Sequence, residues 1–158
     1  EPEALVGRVP RLTGIDGNAK MSKSRRNTID LRDSAGTVAK KVRGMYGGPP
    51  RGAKEAGRVG ENPIFLYLDA FDPNTAYVRD LKERYEREGV SNKELKDRLT
   101  SVLHELLEPM RERRANYESN MPRVREALEQ GTKRGRVIAR ETMDLVRDAL
   151  DVNYLGKY

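Results

Sequence analysis

Two lysines and two serines fall within five residues at Lys20-Met21-Ser22-Lys23-Ser24, directly after the turn-forming run Gly14-Ile15-Asp16-Gly17-Asn18. A polyphosphate needs several short-range donors that can close around it without a rigid cage. Lysine ammoniums supply point charges, and serine hydroxyls with free backbone N–H groups supply hydrogen bonds. A glycine-flanked loop lets such a cluster move onto its ligand and off again. The plainer alternative is a solvated basic loop, which is what most lysine–serine clusters are.

The elements that would have to position this loop read as helices. Residues 1–28 read as coil and turns, with a short strand around Leu5–Val9. Asp33-Ser34 offers a cap for a helix through Val38, Val42 and Met45, ending at Gly47-Gly48. A Gly- and Pro-rich loop runs from Gly47 to Gly60. Asn62-Pro63 starts a short helix that buries Ile64, Leu68 and Phe71. A helix from about Asn74 to Glu88 sets Tyr77, Leu81 and Tyr85 at i, i+4, i+8 and stops at Gly89. Ser91-Asn92-Lys93-Glu94 is a capping box. It opens a long helix striped by Leu95, Leu99, Val102, Leu103, Leu106 and Met110, which Pro109 should kink or divide. Pro122–Gln130 and about Lys133–Asp151 read as two further helices, the last striped by Ile138, Leu145, Val146 and Ala149. The fold class expected is mainly α, an antiparallel helical bundle with no internal repeat.

The composition narrows the function classes. At 158 residues, 35% charged and 6% aromatic, the chain suits slender helices around one core. No apolar run approaches the ~18 residues needed to span a bilayer, and no secretory pattern is present. With no cysteine, disulfides and thiolate metal sites are excluded. The only histidine, His104, sits in a strongly helical stretch and reads as surface or partly packed. The charge is uneven. Residues 1–60 carry 13 Lys/Arg against 6 Asp/Glu, and residues 61–158 carry 18 against 19. The whole positive excess therefore lies on the segment with the lysine–serine loop, as a phosphate-bearing partner would require.

The five loop residues match KMSKS letter for letter, the nucleotide-binding signature of class I aminoacyl-tRNA synthetases. A chance match in a chain this short is expected about once in ten thousand. Leu12-Thr13-Gly14-Ile15-Asp16-Gly17 before the loop and Asn27-Thr28-Ile29-Asp30-Leu31 after it resemble tryptophanyl-tRNA synthetases. So do Glu61-Asn62-Pro63-Ile64-Phe65, Glu108-Pro109-Met110-Arg111-Glu112-Arg113-Arg114 and the ending Val152-Asn153-Tyr154-Leu155. The resemblance runs from about residue 9 to the C-terminus. Tyrosyl-tRNA synthetases share the class and the dimer plan, but their loop flanks differ.

The resemblance implies that residues 1–32 close a Rossmann catalytic domain and carry its signature loop, and that residues 33–158 form the helical tRNA-binding domain. It implies a cytoplasmic, homodimeric ligase that activates tryptophan with ATP and transfers it to its tRNA, without membrane attachment. Lys20 and Lys23 would be the catalytic cations. Gly14, Asp16, Gly17, Lys20, Met21, Ser22, Lys23 and Ser24 would bind ATP. Mg²⁺ would come with ATP, and no residue is assigned to it, nor any metal site. Some relatives hold a cysteine-ligated iron–sulfur cluster; this chain cannot, and zinc is not expected. The tryptophan pocket and the other ATP signature would lie in an N-terminal half, without which the segment is expected to be inactive. Family members often carry Thr-Asp where this chain has Gly47-Gly48, which puts any contact of those groups in doubt.

Arg111, Arg113 and Arg114 alternate with Glu112 after Pro109, and Lys133, Arg134 and Arg136 lie in a stretch without acids. An ordinary solvated helix face laced with salt bridges explains them as well as a tRNA contact surface does. A non-catalytic RNA-binding module derived from a synthetase and a helical adaptor stay open as alternatives.

Overall fold

Asparagine and serine side chains decide where this chain turns helical. In the computed structural model, which describes residues 2–7, 9–18, 20–50, 52 and 55–152, Ser34 accepts the Thr37 N–H at 3.2 Å and opens α1, Ala35–Arg43. Asn62 accepts from Ile64 at 3.1 Å to open α2, Pro63–Phe71. Asn74 accepts from Tyr77 at 3.0 Å to open α3, Thr75–Arg87. Ser91 accepts from Glu94 at 3.2 Å at the head of α4, Asn92–Glu118. Asn120 accepts from Arg123 at 3.3 Å at the head of α5, Met121–Ala149. Each such cap contributes about 1 kcal/mol. A 3₁₀ turn, Val59–Glu61, leads into α2. Among the described residues the fold is all-helical and contains no strand.

The chain divides into two compact units, residues 1–111 and 112–158. In the first, one apolar core gathers Val38, Val42 and Met45 with Ile64, Phe65, Tyr67 and Leu68 of α2, Val78, Leu81 and Tyr85 of α3, and Leu95, Leu99, Leu103 and Leu107 of α4. Phe65 meets Tyr85 edge-on, 4.9 Å between centroids. Residues of the first segment join this same core: Leu12, Ile15, Met21 and Ile29 pack against it half-buried. Asp72, its side chain fully buried, is held by Arg98 through bonds of 2.7 and 2.8 Å and by the Asn74 N–H at 2.9 Å. The second unit contains the end of α4 and all of α5, which closes through Asp151 in the left-handed region, φ 54°.

Several sequence expectations are corrected. The strand at Leu5–Val9 does not form: residues 2–7 are irregular and Leu5 and Val6 are exposed, with no neighbouring strand to take their backbone hydrogen bonds; Arg8 lies outside the described residues. The first helix ends at Gly44, whose N–H returns to Lys40 O at 3.1 Å, three residues before Gly47. On α4 the buried position is Leu107, not Leu106, because the inward row here repeats every four residues through Leu95, Leu99, Leu103 and Leu107. Of the two outcomes expected at Pro109, division does not occur, since α4 runs on through it. The capping box is half made: Ser91 caps Glu94, but the Glu94 carboxylate pairs with Arg84 at 3.2 Å. The two last helices are one, since Gly131 and Gly135 only weaken a helix by about 1 kcal/mol each and neither turns it. No residue of α5 is buried; Ile138, Leu145 and Val146, expected as core, are exposed. Asn153, Tyr154 and Leu155, part of the family-like ending, lie outside the described residues.

Gly47-Gly48 has a local reason. A Cβ at Gly47 would stand 2.5 Å from the Asn92 amide, and Gly48 has φ +87°. Asn92 in turn accepts from Asn62 at 3.2 Å, and Asn62 also donates to the Tyr85 hydroxyl at 3.1 Å. The glycines let this turn close over the buried Asn62 amide and the half-buried Asn92.

Candidate nucleotide-binding loop

Asn27 organises the loop. It is 2% exposed, and both ends of its amide are used. Nδ2 donates to Asp16 Oδ1 at 3.0 Å and to the Lys20 carbonyl at 3.0 Å. Oδ1 accepts the Ser22 N–H at 2.8 Å, and the Asn27 carbonyl accepts from Ile15 at 2.9 Å. One buried side chain thus joins the turn 14–18 to both sides of Met21. This arrangement demands glycine at position 14: a Cβ there would overlap the Asn27 amide and stand 2.5 Å from Asp16 Oδ1. Gly17 is required twice over, by φ +83° and by the Tyr46 ring 2.6 Å from any Cβ.

Asp16 is exposed, yet it is committed. Its carboxylate accepts from the Asn18 amide at 2.7 Å, the Asn18 N–H at 3.1 Å and Asn27. The Asn18 side chain first, and Asn27 second, hold its carboxyl below the ordinary 3.8. The turn is tied to the core from two directions. Tyr46 N–H donates to Ile15 O at 2.8 Å, and the buried Tyr67 hydroxyl donates to Thr13 O at 2.5 Å. Burial, with the Asp16 charge behind it, pushes the Tyr67 hydroxyl up to about 12.

The signature residues divide by direction. Met21 packs half-buried against the core, while Lys20 and Lys23 on either side are exposed. Neither lysine pairs with a carboxylate among the described residues, whereas nine other basic residues do, from Lys41 to Arg147. Ser22 Oγ and Ser24 Oγ lie 3.3 Å apart. Together these groups form a donor-rich surface on a backbone fixed from behind, which can receive a polyphosphate. Arg26 closes the loop with φ 53°, its N–H on Lys23 O at 3.0 Å. A non-glycine residue held in this region costs of order 1–3 kcal/mol.

The candidate tRNA-binding residues are placed differently from one another. Arg111 belongs to the first unit and is largely occupied: its guanidinium takes Glu108 Oε2 at 2.6 and 3.0 Å and reaches Asp33 O at 3.3 Å. In the second unit Arg113 is exposed and Arg114 pairs with Glu118 at 2.7 Å. Lys133, Arg134 and Arg136 are exposed on α5 without carboxylate partners among the described residues. His104 is half-buried with Nε2 3.0 Å from Ala35 O, a packing role at the start of α1. Sequence reasoning had Asn27 only as part of a flanking string and gave no role to Tyr67 or Tyr46. An asparagine five residues beyond Ser22 carries no local signal; only the folded loop shows that it fills the space left by Gly14.

This all-helical fold, with a lysine–serine loop anchored on its core, matches a known family. The sequence fits the family model for class I tRNA synthetases (W and Y) over residues 1–108, and the chain belongs to that family. Among curated relatives, the tryptophan–tRNA ligase of Treponema pallidum is 45% identical over 153 residues, covering 96% of this chain and 45% of the relative. That of Chlamydia caviae is 42% identical over 154 residues, covering 97% and 45%. The chain therefore spans less than half the length of these relatives. The tryptophanyl-tRNA synthetase of Campylobacter jejuni, solved with ADP and tryptophan, superposes with a TM-score of 0.74 at 25% identity, over 89% of this chain and 43% of that one.

Proposed function

We propose that this chain supplies the ATP-phosphate loop and the tRNA-binding helices of a tryptophan–tRNA ligase. The observation that carries the reading is the pair of unneutralised lysines, Lys20 and Lys23, projecting from a loop whose backbone Asn27 holds at Lys20 and Ser22. In the first reaction step a carboxylate oxygen of tryptophan attacks the α-phosphorus of ATP. The bond from that phosphorus to the bridging oxygen breaks, and pyrophosphate leaves with the electron pair. The protein's part is to position the reactants and to stabilise charge on the leaving group. Lys20 and Lys23 neutralise the pyrophosphate, and Ser22 and Ser24 add hydroxyl or backbone hydrogen bonds. The Met21 backbone faces adenosine while its side chain anchors the loop. Gly14, Asp16 and Gly17 shape the turn.

Mg²⁺ enters with the nucleotide. Among the described residues no group of three His, Asp or Glu side chains gathers, and no residue of this chain is assigned to it. In the second step a terminal ribose hydroxyl of the tRNA attacks the tryptophanyl carbonyl, and AMP leaves with the electron pair of the broken anhydride bond. Binding of that tRNA falls to Arg113, Arg114, Lys133, Arg134 and Arg136. Arg111 contributes by fixing α4 to Asp33. Homodimerism and a cytoplasmic location complete the reading; no helix among the described residues is long and apolar enough to cross a membrane.

Lys23→Ala tests it. In the ligase that carries this segment, ATP–pyrophosphate exchange should fall about 100-fold while tryptophan binding barely moves, the pattern of a contact made in the transition state. An unchanged exchange rate refutes the role.

A further inference from the structure

The end of the signature loop opens onto a second basic feature, of which the loop's role absorbs only Lys23. Lys23, Arg26, Thr28, Asp30, Arg32 and Lys41 line an open groove of about 330 Å³ in the first unit. Its back wall is ordered by Asp33. Its carboxylate accepts the Asp30 N–H at 2.8 Å and Lys41 Nζ at 2.6 Å, which fixes the 30–33 turn against α1. Lys41 is thereby committed to a carboxylate. The other three cations are not: Lys23, Arg26 and Arg32 are exposed and have no ion-pair partner among the described residues. Arg26 is also the residue held at φ 53°, a conformation that arginine rarely adopts. Its cost is borne at the position that aims a guanidinium from the end of the signature loop, and such outliers cluster at ligand sites.

We infer that this groove binds the sugar–phosphate backbone of an RNA strand running past the signature loop. The inference rests on the proposed ligase reading and names the part of the tRNA partner that meets this side of the loop. Two features favour RNA over a free polyphosphate. The cations are spread along the rim on separate turns, Arg26 at the loop's end and Arg32 on the 30–33 turn, which suits successive phosphodiesters. Between them sit an acceptor and a hydroxyl. Asp30 meets Lys41 at 3.6 Å, outside hydrogen-bond range, and so keeps lone pairs that can accept from a ribose 2′-OH, while Thr28 offers both a donor and an acceptor. A carboxylate in the groove repels a dense polyanion and is tolerated by a backbone carrying one charge per nucleotide.

The test titrates the 158-residue chain with a fluorescein-labelled RNA hairpin bearing a single-stranded 3′ tail, read by anisotropy at several salt concentrations. The same hairpin as DNA, and inorganic tripolyphosphate as competitor, form separate arms. Arg26→Asn, which tolerates positive φ, and Arg32→Gln remove the two guanidiniums; Arg87→Gln, on α3, is the control. Melting curves and amide exchange at Ser22 check that the loop stays folded. The expected result is RNA bound in preference to DNA, with the double variant about tenfold weaker and the salt slope reduced by about 0.7 per contact removed. Asp30→Ala should narrow the RNA–DNA difference, and Arg87→Gln should change nothing. Four results overturn the proposal: no RNA binding by the parent chain, equal affinity for RNA and DNA, unchanged RNA affinity in the double variant, or a loss confined to tripolyphosphate. None of these bears on nucleotide activation, which Lys23→Ala tests by exchange without RNA.

Discussion

Replacing Asn27 with alanine removes three side-chain hydrogen bonds at once: to Asp16 at 3.0 Å, to Lys20 O at 3.0 Å and from Ser22 N–H at 2.8 Å. The site is buried, so water cannot simply take their place; the Ser22 N–H and Lys20 carbonyl are left short of partners. At about 1 kcal/mol per bond, the loop's closed form loses about 3 kcal/mol relative to its open form. That corresponds to roughly a hundredfold rise in local opening. Hydrogen exchange is the direct assay. Protection of the Ser22 amide should fall by about two powers of ten, while the amides of α3, which no hydrogen bond among the described residues joins to the loop, lose much less. Asn27→Asp separates the two halves of the amide. It keeps the acceptor for Ser22 but deletes the donor and sets a second carboxylate against Asp16, so at neutral pH it should open the loop at least as much as alanine. Unchanged Ser22 protection in Asn27→Ala would mean that Tyr46, Tyr67 and Met21 alone hold the loop, and the organising role assigned to Asn27 would be wrong.

Gly14→Ala should reproduce the exchange phenotype of Asn27→Ala, since a Cβ at position 14 overlaps the Asn27 amide; intact Ser22 protection would contradict this. In Arg98→Ala the fully buried Asp72 carboxylate keeps only the Asn74 N–H, and denaturant unfolding should report a loss of about 3 kcal/mol. Arg98 is the reason Asp72 titrates below its ordinary 3.8 although burial pushes the other way. Tyr67 gives an alkaline signature: with its hydroxyl raised from 10.0 to about 12, its contribution is complete below pH 10 and is lost as pH rises toward 12. Stability of the parent chain should decline across that window more steeply than that of Tyr67→Phe, and parallel curves would reject the burial argument.

How much could be read in advance varied by element. The caps at Ser34, Asn62 and Ser91 and the apolar stripes of α2, α3 and the first half of α4 were legible, because capping and periodicity act within four residues. The signature loop was legible as a string. Its support was not: Asn27, Tyr46 and Tyr67 reach the turn 14–18 from separate parts of the chain. The role of Gly14 as space for a buried amide exists only once those parts meet. The join of α5 was missed because glycine only weakens a helix, and nothing local says whether the helix continues.

The sequence by itself therefore determined the starts of α1 to α4 and the lysine–serine chemistry, since each depends on neighbours along the chain. Tertiary structure alone decided which cations are free and which are neutralised. Lys41 and Arg111 look in the sequence like Lys23 and Arg26, yet Asp33 occupies the first and Glu108 with the Asp33 carbonyl the second. A charge is available to a ligand only where the fold brings no acid to it, and that depends on how the turns and helices around it are folded.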